Sequence, residues 1–399
     1  MRQFAILLCL VWAVAQLWLG TARLMAGSSD RQAATQSLAE AHAQDLALVA
    51  KGNGWTLAEA GAQHHAAAII GAIAEQVAAA RPDSFVGSAL SDEPGGPPTL
   101  YVKGAADLFV RSLVDASDIE IVLADNQPYS FQELEARKLR IHHALEAQGF
   151  RQVVTGVNIT GGGIVPAAVM VEPGLRVGRD EVVAALPADL RSSVELTMSE
   201  TSIVVDTTSF GGMETRDDGV FLCTSGWTVT KSSTGVTGVT TAGHCRYQNE
   251  IVHPGHGVHA FVYQAEHRGQ WGDIEWHVTN YAEVDDFYAS ANDIRDVGSV
   301  EARANISVGE SVCQYGRASN DRDCTPHVFD VSLACTLEGV FNDRLVQMDV
   351  ITSTFNDSGG GWSMNFVAFG SQKGWCNSKD TWSVADLYDE ALGVTVNTN

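Results

Sequence analysis

Residues 220–245 read VFLCTSGWTVTKSSTGVTGVTTAGHC. Short runs of Val, Thr, Phe and Trp are broken by Ser-Gly and Ser-Ser-Thr-Gly, the pattern of antiparallel strands joined by tight turns. It continues in GDIEWHVT from Gly272, NISVGESVCQYG from Asn305, RLVQMDVIT from Arg344 and NFVAFG from Asn365. Strands at these spacings predict an all-β unit after about Asp206, a barrel or a sandwich. The turns of such a sheet account for much of the 38 glycines.

The chain ahead of this unit is written differently. From Arg31 to Ala80 it is rich in Ala, Glu, Gln and His, and SLAEAHAQDLALVA and AAAIIGAIAEQVAAA predict helices with Ala-lined faces. The stretch from Ser84, SFVGSALSDEPGGPPTLYVKG, reads as strand, turn and strand. QELEARKLRIHHALEAQGF predicts a helix with Ser130 as N-cap, Glu133 at capping-box distance and Gly149 near its stop. The first half is therefore a small α+β unit without a recognisable catalytic constellation.

With 399 residues the chain has room for two folded units. Its formal charge is −23, and from Gly211 onward 25 acids face 11 bases, a net −14. A nucleic-acid binder concentrates Lys and Arg along a face, and no such cluster occurs. After Met1-Arg2-Gln3 an apolar run from Phe4 to Leu19 leads to small residues at Gly20 to Ala22 and Ala26-Gly27. This order is that of a secretory signal cut after Ala22 or Ala26. A single membrane anchor is the alternative, although the run is short for a span.

Cys9 lies in that segment, and Cys223, Cys245, Cys313, Cys324, Cys335 and Cys376 all fall in the last 180 residues. Six cysteines suit three disulfides in an oxidising compartment, with 15 pairings open on arithmetic alone. Three segments carry candidate chemistry: His244 in TTAGHC, Asp273 in GDIEW and Ser358 in NDSGGG. A serine hydroxyl needs a base to take its proton, His244 is such a base, and Asp273 can hold the imidazole tautomer. Each residue also has a plain structural reading: a satisfied histidine beside a cystine, a strand-start turn and a Gly-flanked loop serine. The order His, Asp, Ser in an all-β, cystine-containing unit favours catalysis.

The second half, over roughly 206–395, resembles the chymotrypsin-fold serine proteases, and within them the small secreted bacterial branch of streptogrisins and alpha-lytic protease. CTSGWTV with TTAGHC resembles the branch's first catalytic strand and histidine motif, and Asp357-Ser-Gly-Gly360 its serine motif. The resemblance implies two six-stranded antiparallel β-barrels preceded by a smaller α+β pro-region: signal 1–26, pro-region 27–205, protease domain 206–399. It implies Ser358 as nucleophile, His244 as base and then acid, Asp273 as orienting carboxylate, and an oxyanion hole from the amides of Asn356 and Ser358. It further implies disulfides Cys223–Cys245 and Cys313–Cys324, which leaves Cys335–Cys376. The activity implied is that of a secreted serine endopeptidase, made as a pro-enzyme and needing neither cofactor nor metal. Its partners would be polypeptide substrates and its own pro-region, which YSFQELEARKLRIHHALEAQG resembles and which would be removed near 195–211. A monomer, no nucleic acid and no stable membrane association after signal cleavage are expected.

The chain also departs from that pattern. Asn356 stands where the family has glycine, and Asn tolerates positive φ better than most side chains. Glu275 replaces a small residue two positions after Asp273, and Gly361 stands where proline is common. Pocket candidates are Thr352 and Val367-Ala368-Phe369-Gly370, with Phe369 either narrowing the pocket or packing in the core; no aspartate is evident at the base, so a neutral P1 residue is expected. His253, His256 and His259 in HPGHGVH raise a zinc site, against which the Pro and Gly between them argue for a turn. Asn158-Ile-Thr and Asn305-Ile-Ser do not establish glycosylation without the host. The alternative from another class is a catalytically silent homologue that binds peptides or proteins.

Overall fold

Three helices of the first half start on reciprocal caps. In the computed structural model, which describes residues 34–171, 177–200, 204–206, 212–246, 248–254, 257–279, 283–337 and 339–399, Ser37, Thr56 and Ser130 each accept the backbone N–H of a Glu three residues on. Those Glu side chains bind back to the cap amides, which satisfies two orphan donors per helix. The helices are α1 (Leu38–Asn53), α2 (Leu57–Ala80) and, after the short α3 (Leu108–Asp115), α4 (Phe131–Glu146). Strands Phe85–Ala89 and Thr99–Lys103 pair antiparallel across the Pro-Gly break. The expected signal 1–26 and part of the expected processing stretch, 201–203 and 207–211, lie outside the described residues.

The second half is almost wholly sheet. One sheet of eight strands runs in space Val220–Thr224, Glu214–Asp217, Glu250–His253, Gly257–Gly269, Gly272–Thr279, Thr237–Thr241, Thr228–Lys231, Val394–Val396. Its long hairpin holds Arg268 opposite Asp273. The other sheet has twelve strands, and its central path runs from Cys313–Tyr315 through Gly361–Met364, Val367–Cys376 and Lys379–Val384 to Val340–Met348 and Val328–Leu337.

Among the described residues neither sheet closes into a barrel, so the expected pair of six-stranded barrels is corrected to two open sheets. In the eight-stranded sheet the closing position is taken by covalent chain. Thr224 ends one outer strand, and Ser225 to Trp227 bend across, with the Gly226 amide on the Thr240 carbonyl at 2.5 Å, before Thr228 starts pairing near the other edge. The twelve-stranded sheet stays open because the first half extends it: Ala334 to Leu337 pair antiparallel with Thr155 to Gln152, and strands Val165–Met170 and Val194–Ser199 follow.

Residues 34–399 form one compact unit. Val49, Ala50 and Ala60 of α1 and α2 share a core with Val346, Phe369, Trp362 and Trp382 of the twelve-stranded sheet. The two sheets meet where the buried Trp227 indole donates to the Gly370 carbonyl at 3.0 Å. Disulfides join Cys223–Cys245, Cys313–Cys324 and Cys335–Cys376, the pairing that the resemblance implies. No described helix is long and apolar enough to cross a membrane.

Candidate active site

The strand Thr237–Thr241 ends three residues before His244, and the Cys223–Cys245 bridge ties the turn that follows it. His244 Nδ1 lies 2.7 Å from Asp273 Oδ2, with both side chains buried. Gly243 permits this approach, because a Cβ there would stand 2.8 Å from Asp273 Oδ1. Asp273 is anchored across the sheets: its amide donates to Ser383 Oγ at 2.9 Å, on strand Lys379–Val384. Arg268 Nε is 3.5 Å from Oδ1, and the buried Lys373 Nζ is 4.0 Å from Oδ2.

Ser358 is buried at the corner that opens strand Gly361–Met364, and its hydroxyl donates to the Lys373 carbonyl at 3.0 Å. Gly359, at φ +89°, donates to the Gln372 carbonyl at 2.6 Å, and a Cβ there would overlap the Thr224 carbonyl. Only a residue without a side chain fits both demands. The same Cβ would stand 2.5 Å from Thr241 Oγ1, so this close approach seats the Ser358 corner against the strand end that leads into His244. Asn356 takes φ +79°, the left-handed conformation glycine adopts freely and Asn more readily than other side chains. Asp357 fixes the loop by accepting the amides of Ala318, Ser319 and Thr354, while burial raises its carboxyl against those donors.

The pocket candidates sit elsewhere than expected. Ala368 and Phe369 are buried in cores, Phe369 edge-on to Trp382, and a Cβ on Gly370 would overlap the Ser383 carbonyl. Val367, partly buried, pairs with Met364 at the far end of the hairpin. Alternation along a strand buried on both faces sends these side chains into packing, and the residues beside Ser358 are Gln372 and Lys373 instead. Thr352 donates its amide to the buried Asp380 carboxylate at 2.6 Å, so an aspartate does stand behind it. That carboxylate also accepts from Ser353 and Gln372.

Glu275 is a further buried acid of the site. Its Oε1 accepts from Gln248 Nε2 at 3.0 Å and His277 Nε2 at 2.9 Å. Burial, then the charges of Asp273 and Glu266, push its carboxyl up to about 8. Burial drives His277 down to about 3, so the contact is a neutral hydrogen bond rather than an ion pair. Arg268, Lys373, Ser383 and Asp380 escaped the sequence reading. Arg268 alone had a local signal, since it and Asp273 flank the tight Gly269 to Gly272 turn of one hairpin.

A cavity of about 300 Å³ is lined by Met213, Val239, Ile251, His253, His259 and Phe287 among others, and His244, Asp273 and Ser358 are not in its lining. His253 and His259 face each other with ring centres 6.4 Å apart, and His256 lies outside the described residues.

No family model and no curated protein matches the chain. Among solved structures it is similar to a glutamic acid-specific serine protease that uses a histidine triad in substrate binding, at 19% identity and TM-score 0.38 over 47% of this chain and 100% of that one. It is also similar to the Nocardiopsis protease NAPase, at 19% and 0.37 over 47% and 98%, and to the Cellulomonas bogoriensis chymotrypsin, at 19% and 0.37 over 48% and 98%.

Proposed function

We propose that the chain is the precursor of a secreted serine endopeptidase. The observation that carries this reading is the 2.7 Å contact between His244 Nδ1 and the buried Asp273 carboxylate. An imidazole whose Nδ1–H is held by a carboxylate presents Nε2 as a base. Ser358 Oγ then bonds to the scissile carbonyl carbon as its proton passes to His244 Nε2, and the carbonyl electron pair moves onto oxygen. The amides of Asn356 and Ser358 are the donors for that oxyanion. Collapse breaks the C–N bond, His244 returns the proton to the leaving amine, and water repeats the sequence on the acyl-enzyme.

The pro-region reading is supported by the placement of the stretch expected to be cut. Strand Val204–Asp206 pairs antiparallel with Cys376 to Gly374, next to the Lys373 carbonyl that holds Ser358. A segment laid on that strand blocks entry of a substrate by β-addition, as an inhibitory pro-region would. The three disulfides fit an oxidising, extracellular destination.

One observation favours the silent-homologue reading: Asn356, at φ +79°, stands where the resemblance implies the glycine of the oxyanion hole. Hydrolysis of a mixed peptide library by the processed protein separates the two, with Ser358→Ala as control and fragment ends read by mass. Cleavage lost in Ser358→Ala supports the peptidase and reports the P1 preference. Silence in folded protein freed of residues 34–206 refutes it.

A further inference from the structure

Asp45, in the middle of α1, is fully buried, and everything that holds it comes from the second half of the chain. Arg295 Nη1 lies 2.8 Å from Oδ2 and its Nη2 3.0 Å from Oδ1. Arg322 forms a second fork, Nε to Oδ1 at 2.8 Å and Nη2 to Oδ2 at 2.9 Å. The Asn365 amide adds a fifth donor at 2.7 Å. Two planar bidentate forks and an amide are a complete set of donors for one carboxylate.

Both arginines are buried, with side chains 0% and 2% exposed, in a half of the molecule whose net charge is −14. Arg322 is oriented without help from the helix, through Ser363 Oγ at 3.1 Å and the Ser363 carbonyl at 3.4 Å. Arg295 keeps the Asn365 carbonyl at 3.1 Å, while its remaining acceptors, Gln36, Ala41 and Gln44, leave with the first half. Two guanidiniums held side by side out of water repel each other unless an anion lies between them.

We propose that Arg295, Arg322 and the Asn365 amide form a carboxylate-binding site of the catalytic half, occupied in the uncut chain by Asp45 and able to take another carboxylate once Asp45 is gone. Its ligand class is a carboxylate presented on a polypeptide, for which acetate and formate are minimal probes. The site lies on the hairpin that follows Ser358, since Ser363 and Asn365 belong to Gly361–Met364 and its turn. That it opens in a mature enzyme rests on the protease-precursor reading; that it binds carboxylates does not.

The test uses the full chain with Ser358→Ala, so that no self-cleavage enters. Asp45→Ala is expected to lower Tm by roughly 10 °C, the usual consequence of stranding buried charges. Acetate or formate at about 100 mM, with a dissociation constant near 10 mM, is expected to restore about 3 °C. Acetamide, or chloride at equal ionic strength, is expected to restore nothing, and acetate is expected to leave the parent unchanged. Adding Arg322→Met to Asp45→Ala should abolish the recovery. A folded Asp45→Ala protein indifferent to acetate overturns the proposal, as does an equal acetate shift in the parent or in the Arg322→Met variant. Should Asp45→Ala not fold unaided, refolding yield against acetate replaces Tm, and a flat yield overturns it. Recovery by acetate together with a silent peptide library would keep the site and discard the protease.

Discussion

Glu275→Gln should stabilise the protein at neutral pH and leave it nearly unchanged in acid. The Glu275 carboxyl stands at about 8 in the fold against 4.5 when free, chiefly because its side chain is buried. A carboxyl raised on folding is protonated in both states in acid and costs nothing there. As pH climbs through 4.5 the unfolded form ionises while the folded form cannot, so the cost grows until about pH 8 and then levels. At 1.36 kcal/mol for each pH unit crossed, the cost is about 1 kcal/mol at about pH 5 and about 3 kcal/mol at about pH 7. Glutamine mimics the protonated acid: its Oε1 can keep the contacts from Gln248 and His277, and it carries no charge to desolvate. The assay is Tm of the Ser358→Ala chain with and without Glu275→Gln across that range. A gain of roughly 6–10 °C is expected at about pH 7 and of 2–4 °C at about pH 5. Other acids raised by burial also titrate, the partly buried Glu310 at about 8 and the buried Asp330 at about 6, but they cancel in the difference between the two proteins. An equal difference at both pH values, or a loss at pH 7, would refute an ionisation held back by burial.

The other predictions are shorter. Asp273→Asn should leave the fold intact and lower kcat by roughly ten-thousandfold, because the imidazole then meets an amide donor and adopts the wrong tautomer; steady-state kinetics of the processed enzyme decide, and a loss below tenfold would remove Asp273 from its role. Lys138→Met strands the buried Asp343 carboxylate, now 2.6 Å from the ammonium, and should cost about 3–5 kcal/mol in urea unfolding of the full chain. The pair Lys138→Met with Asp343→Leu should recover most of that, and a double variant as unstable as the single would contradict the ion-pair account.

Much of this was legible because it is local. Caps at Ser130 and Glu133, the Pro-Gly break after Phe85–Ala89 and the strand grammar from Val220 onward are decided by neighbours in sequence, and the elements formed where those signals stood. The unclosed sheets were not legible, because closure depends on whether the last strand finds the first or is pre-empted by a strand from elsewhere. Strand Gln152–Thr155 does the pre-empting here, and nothing in QVVT announces its partner in Ala334 to Leu337. Phe369 illustrates the same limit on one side chain, since either face of its strand offered apolar cover.

Charge was the least legible property, and it is where the two halves are joined. By composition the chain is simply acidic, yet its buried cations are each set against a carboxylate: Lys138 against Asp343, Arg295 and Arg322 around Asp45, Lys373 beside Asp273. The first three of these cations or their partners cross between the first half and the second, at helices α1 and α4. Apolar contact between α1, α2 and the twelve-stranded sheet supplies most of the attraction, since burial of area is indifferent to register. A buried ion pair adds little net stability but penalises every docking in which it is broken. The observed seating of the helices on the sheet is the one that keeps all of these pairs, and in it Val204–Asp206 lies along the strand that holds Ser358.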